Sequence, residues 1–270
     1  MISHYPQRQV QWASERFFRA IWSRNPTGKA IIFIHGYGGD PLGTWADFHE
    51  LLPNQPKAAG CDLIFYDYDG LRADMLTSAE IFRQFLDALF GHPSALSNTS
   101  LPVAAARPPT FKYVEIIIVA HSLGAVITRW AMLQARDGAK SWLPNLKLVL
   151  FAPAHMGASI VKLALSVVSG LPFLALATGV LRFKSPLIDQ LNKGSDELRA
   201  LQNDTKRALA AGNCDYLIAK KVIHAEYETI VSNMHFCSDP PAIPFVGDHF
   251  AICKPKAQFS DPVDHVLELL

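Results

Sequence analysis

A chain of 270 residues, half of them hydrophobic, is long enough to bury one large core, and a single domain spanning 1–270 is the expectation. A formal net charge of +1 leaves no basic surplus or stripe, which excludes nucleic acid as a partner. Cys61, Cys214, Cys237 and Cys253 lack the paired spacing of a zinc or redox site, so no metal is expected. Reduced thiols, and an N-terminal stretch MISHYPQRQVQWASERFF without an apolar signal core, point to the cytoplasm.

Taken in chain order, the apolar runs at 30–35, 62–66, 114–120 and 146–151 predict buried strands. Helical patterns at 45–52, 75–90 and 123–135 fall between them. In the last, Leu123, Val126, Ile127, Trp130 and Leu133 share one face. Alternation of this kind predicts an α/β fold with a mostly parallel sheet flanked by helices. The stretch 92–110, rich in Pro, Ala and Ser, reads as an exposed excursion.

The chemistry begins where the third strand ends. "AHSLG", Ala120 to Gly124, joins that strand to a helix, and strand, sharp turn, helix is the context of the nucleophile elbow, usually G-x-S-x-G. Small residues are needed two before and two after Ser122, and Ala120 and Gly124 fill both places. The bland alternative is a serine capping a helix. A second glycine-rich loop, "FIHGYGGDPLGTW" from Phe33 to Trp45, follows the first predicted strand. Backbone N–H groups of Tyr37 and Leu123 are the expected oxyanion donors, because acyl transfer needs preorganised dipoles where negative charge develops. His35, Gly36 and His155 are expected to line the substrate site.

A base should follow the serine, with an acid between them. His249, in "VGDHFAICKP", is the candidate base. His121 is set aside as pointing elsewhere on the elbow, and His224, His235 and His265 as structural or surface residues. For the acid, Glu228 in "AEYETIVS" sits at the end of a β-like run from Val222, with Asp239, Asp215 and Glu226 in reserve.

Together "FIHGYGGDPLGTW", "VAHSLGAVI", "FAPAHMGAS" and "DHFAICKP" resemble the lipase-like branch of α/β-hydrolases that includes glycosylphosphatidylinositol inositol-deacylase-like and serine-active-site-containing proteins. The resemblance implies the α/β-hydrolase fold, ester hydrolysis through Ser122 and His249, and an acid at Glu228. It implies no cofactor. Family members usually carry threonine before the proline of the third stretch, where this chain has Ala152-Pro153, a difference that touches substrate choice. Acyl transfer to another alcohol or amine, and a silent interaction module on the same fold, are the rival readings.

The run 163–181 carries no charge and approaches the length of a membrane span, but Gly170, Pro172 and Gly179 interrupt it. A span there would separate Ser122 from Glu228 and His249. The expectation is a helical lid within an insertion at about 157–200, with Leu171 and Phe173 at its tip touching a small-molecule or lipid ester and making peripheral membrane contact.

Overall fold

The structure, a computed structural model, describes residues 3–159, 162 and 186–270. Eight strands form one sheet: β1 (Arg8–Ala13), β2 (Arg16–Ile21), β3 (Lys29–Ile34), β4 (Cys61–Tyr66), β5 (Glu115–His121), β6 (Leu146–Phe151), β7 (Lys221–Ala225) and β8 (Ile243–Phe245). Their spatial order is β1-β2-β4-β3-β5-β6-β7-β8. From β4 onward every neighbouring pair is parallel, and the β1–β2 hairpin adds to β4 antiparallel. The four predicted strands form its centre. Their apolar runs lack alternation because helices cover both faces, and β4 is buried at every position. The hairpin escapes the sequence reading since β1 buries only Val10 among its six residues.

The first predicted helix shrinks to α1 (Phe48–Leu51), because Ala46 at φ 43° turns the chain just ahead of it. Trp45 and Phe48 still pack on Phe33, with ring centroids 5.1 and 5.0 Å away. α2 (Met75–Gly91) starts at Asp74, whose carboxylate accepts the Thr77 N–H, and Ala79, Phe82, Leu86 and Leu89 repeat along its buried face.

The stretch 92–110 is largely exposed, as expected, but it is not a plain loop. It contains α3 (Pro93–Asn98) and is pinned to the sheet by a buried charge. Asp62, inside β4 and fully buried, accepts two N–H bonds from Arg107, one from the Tyr113 hydroxyl and one from the Ser23 backbone. A carboxylate buried at that depth needs such partners, and the excursion supplies them.

α4 (Leu123–Asp137) packs against β5, α2 and, further on, the helix Asp196–Ala211. It is therefore buried on more than the single predicted face: Thr128 and Arg129 are inside, while Trp130, placed on that face, is part-exposed. α5 (Pro186–Gln190) presents the Gln190 side-chain oxygen to the Met75 N–H at 2.9 Å. α6 (Asp196–Ala211) is capped by Ser195, and α7 (Asp261–Leu267) buries Val263 and Val266. Among the described residues no helix is long and apolar enough to cross a membrane. The run 163–181, with Leu171 and Phe173, lies outside the described residues.

Candidate active site

Ser122 sits between β5 and α4 with φ 53° and ψ −118°, a conformation that a side-chain-bearing residue holds only at a cost of order 1–3 kcal/mol. Two glycines make the turn possible. A Cβ on Gly124 would come within 2.4 Å of the Ile34 carbonyl oxygen and 2.5 Å of that of His35, so the start of α4 can lie against the end of β3 only if residue 124 has none. A Cβ on Gly36 would meet Ser122 Cβ at 2.9 Å and His121 Nδ1 at 3.0 Å. The glycine-rich loop after β3 thus closes directly onto the serine.

His249 follows β8 on a turn made by Asp248, whose carboxylate accepts the Phe250 and Ala251 N–H groups. Its Nδ1–H donates to Glu228 Oε2 at 2.9 Å, and both side chains are buried. The other carboxylate oxygen, Oε1, accepts the N–H groups of Ile230 (2.8 Å) and Val231 (3.1 Å). Burial alone would raise the Glu228 carboxyl, but the hydrogen bond and charge of His249 and those two N–H groups outweigh it and hold it below its ordinary value. With Nδ1 donating, Nε2 of the neutral ring is an acceptor. His249 Nε2 and Ser122 Oγ are both buried, and neither has a hydrogen-bond partner among the described residues. One is an acceptor and the other a donor.

His121, set aside in the sequence as pointing elsewhere on the elbow, directs its Nε2–H to the His249 carbonyl oxygen at 2.9 Å, and the two rings lie 4.7 Å apart. The loop carrying Tyr37 is held from behind. His35 is fully buried, its Nδ1–H donates to the Gly36 carbonyl, and its ring stacks on Tyr68 at 4.3 Å. The Tyr68 hydroxyl in turn donates to the His35 carbonyl at 2.8 Å. Burial brings the His35 imidazole down to about 4, so it is neutral at pH 7. Tyr68 and Gly70, whose carbonyl accepts the Gly38 N–H, are supports that no motif in the sequence announced. Tyr37 itself is buried, and Leu123 opens α4, where an N–H has no intrahelical acceptor.

The reserve acids lie elsewhere. Asp239 accepts two bonds from Arg129 Nη2, at 3.0 and 2.8 Å, and one from the Ala219 N–H. Asp215 and Glu226 are exposed. His155 is buried against Phe236 with Nε2–H donating to the Ala125 carbonyl; with His224 and Asp239 it lines a cavity of about 250 Å³ that none of Ser122, Glu228 and His249 lines. A second cavity, about 220 Å³, is bounded by Gly36, Tyr37, Thr44, His121, Phe250 and Lys254, next to the serine loop. A larger one of about 590 Å³, at His4, Arg24, His49 and Asn54, is lined by none of these groups, so size does not mark the site. Among the described residues no cluster of three or more His, Cys, Asp or Glu could hold a metal.

Elbow, glycine loop and histidine all gather at the carboxyl ends of the parallel strands, and the fold is that of the α/β-hydrolases. Solved structures of that fold match nearly the whole chain. The mature form of Bacillus licheniformis lipase BlEst2 is similar with a TM-score of 0.53 and 15% identity, 97% of each chain being covered. Paleococcus ferrophilus monoacylglycerol lipase matches with 0.52 and 14%, over 98% of this chain and 97% of that one. Mouse alpha/beta hydrolase domain-containing protein 10 matches with 0.50 and 14%, over 98% of each. No family model and no curated protein matches the sequence. The narrower likeness to inositol-deacylase-like proteins rests on the four sequence stretches alone. Identity this low assigns the fold, and function must be argued from the site.

Proposed function

We propose that the protein is a serine hydrolase that cleaves carboxylic esters through an acyl-enzyme on Ser122. The observation that carries this is the Glu228–His249 hydrogen bond, together with a serine in a strained turn whose buried hydroxyl has no hydrogen-bond partner among the described residues. His249 Nε2 takes the Ser122 proton as Oγ bonds to the ester carbonyl carbon. Tyr37 and Leu123 N–H groups hold the resulting oxyanion. The carbon–oxygen bond to the alcohol then breaks, and His249 returns the proton to the departing oxygen. Water, deprotonated by His249, attacks the acyl carbonyl, releasing the acid and restoring Ser122. Glu228 fixes the tautomer of His249 and stabilises its cation without taking the proton.

Lipid-like esters are the favoured substrates, on two supports: the charge-free stretch 163–181 and the naming of two similar structures as lipases. Release of nitrophenol from p-nitrophenyl butyrate and longer esters tests the proposal. Wild-type turnover, abolished in Ser122→Ala, is expected. A folded wild type that releases none would overturn it. Added alcohols that divert the acyl group into new esters would reveal transfer in place of hydrolysis.

A further inference from the structure

We propose that His121 is a positioning residue for the base: its Nε2–H ties the backbone of His249 to the elbow, so that nucleophile and base are held as one piece. This rests on the serine-hydrolase reading above.

The two ends of the tie differ in how firmly the sheet holds them. His121 is the last residue of β5, in register with Phe151 of β6, at the centre of the sheet. His249 follows β8, a three-residue strand at the sheet's edge, and Val246 before it is largely exposed. The pairing of that edge runs on only as far as Gly247, whose carbonyl accepts the Tyr227 N–H, two residues before His249. The Glu228 bond orients the His249 ring but makes no contact with the His249 backbone. A buried 2.9 Å hydrogen bond from His121 to the His249 carbonyl fixes that backbone, across 128 residues of sequence. The residue making it is covalently next to Ser122, so any movement of the His249 backbone relative to the nucleophile must strain this bond.

The chemistry of the tie is directional. A carbonyl oxygen only accepts, so His121 must carry its proton on Nε2. Nδ1 faces the Gly36 side, where a Cβ would intrude to 3.0 Å. Burial first, and then the neighbouring His249, push the His121 imidazole well below its ordinary value. It therefore stays neutral while His249 cycles through its cation, which avoids two positive rings 4.7 Å apart. Phe250 and Trp45 enclose the same ring, at 6.1 and 6.4 Å. A donor at the Nε2 position is thus what the site needs.

Three variants test this with p-nitrophenyl butyrate, active sites being counted by fluorophosphonate titration so that misfolded protein is excluded. His121→Gln can place an amide N–H near Nε2, His121→Asn stops at the Nδ1 position, and His121→Phe keeps the ring without a donor. The expected result for Asn and Phe is a fall in kcat per titrated site on the order of 10- to 100-fold with KM within about 2-fold, and for Gln a value within roughly 5-fold of wild type, as small misplacements of a catalytic group cost rate and not binding. Wild-type kcat in whichever of Asn and Phe folds, or a Gln variant as impaired as they are, would overturn the tie. A wild type that neither titrates nor turns over would sink the serine-hydrolase reading and the tie with it. An active wild type with active Asn and Phe variants would sink the tie alone.

Discussion

The segment between β7 and β8 holds two buried carboxylates, and their surroundings differ in the respect that matters for chemistry. Glu228 faces an imidazole and two backbone N–H groups. Asp239 faces the guanidinium of Arg129, itself buried and lying over the Phe236 ring at 4.7 Å. A guanidinium keeps its charge and moves no proton, so the pair is a fixed strut between α4 and the loop before β8. An imidazole changes charge during acyl transfer, and the carboxylate beside it can respond. Burial alone therefore does not mark the acid of a triad; its partner does.

The comparison predicts a double dissociation, and its largest arm is catalytic. Glu228→Gln should lower kcat by roughly 10³–10⁴-fold while leaving thermal stability nearly unchanged, because the tautomer-fixing charge is lost and the shape kept. Steady-state kinetics beside a melting curve checks both halves. Asp239→Asn should do the reverse: breaking a buried ion pair costs about 3–5 kcal/mol, read from urea unfolding, with kcat per titrated site close to wild type. Stability lost at Glu228 and turnover lost at Asp239 would invert the assignment.

Acid should expose a further difference between fixed and neutral buried groups. His35 stays neutral in the fold down to about 4, whereas the unfolded chain protonates it near 6.5. Below 6.5 the unfolded state binds the extra proton, so stability is intact above that pH and is lost as pH falls from 6.5 towards 4, by on the order of 3 kcal/mol. Buried His121 and His155 shift in the same direction. Melting temperature should drop progressively across this window. A flat profile from pH 7 to 4.5 would contradict the neutral, buried histidines. The smallest effect is expected at Tyr68→Phe, which removes the bond to the His35 carbonyl but keeps the ring stack, at about 1 kcal/mol of stability.

Much of this arrangement was legible because it is local. The central strands are unbroken apolar runs, and the elbow announces itself by Ala120, Ser122 and Gly124 between strand and helix. The order of serine, acid and histidine narrowed the base to His249 but left Glu228, Asp239, Asp215 and Glu226 open. Nothing in spacing says that Arg129 on α4 occupies Asp239. The same limit hid Arg107 on Asp62, the Tyr68 support of the glycine loop, and the turn of His121 towards His249. Each is a contact between residues 33 to 128 apart in the chain, fixed by packing alone. The hairpin was missed for another reason: an edge strand with one buried residue has almost no hydrophobic pattern to read.

The central claim is that Ser122 is a nucleophile activated by His249. Intact-mass analysis after incubation with a fluorophosphonate tests it most directly, since the reagent bonds covalently only to an activated serine. One adduct per chain on the wild type, mapped by peptide sequencing to Ser122, absent from Ser122→Ala and strongly slowed in Glu228→Gln, is the predicted result. An unlabelled wild type, or equal labelling of Ser122→Ala, would contradict the account.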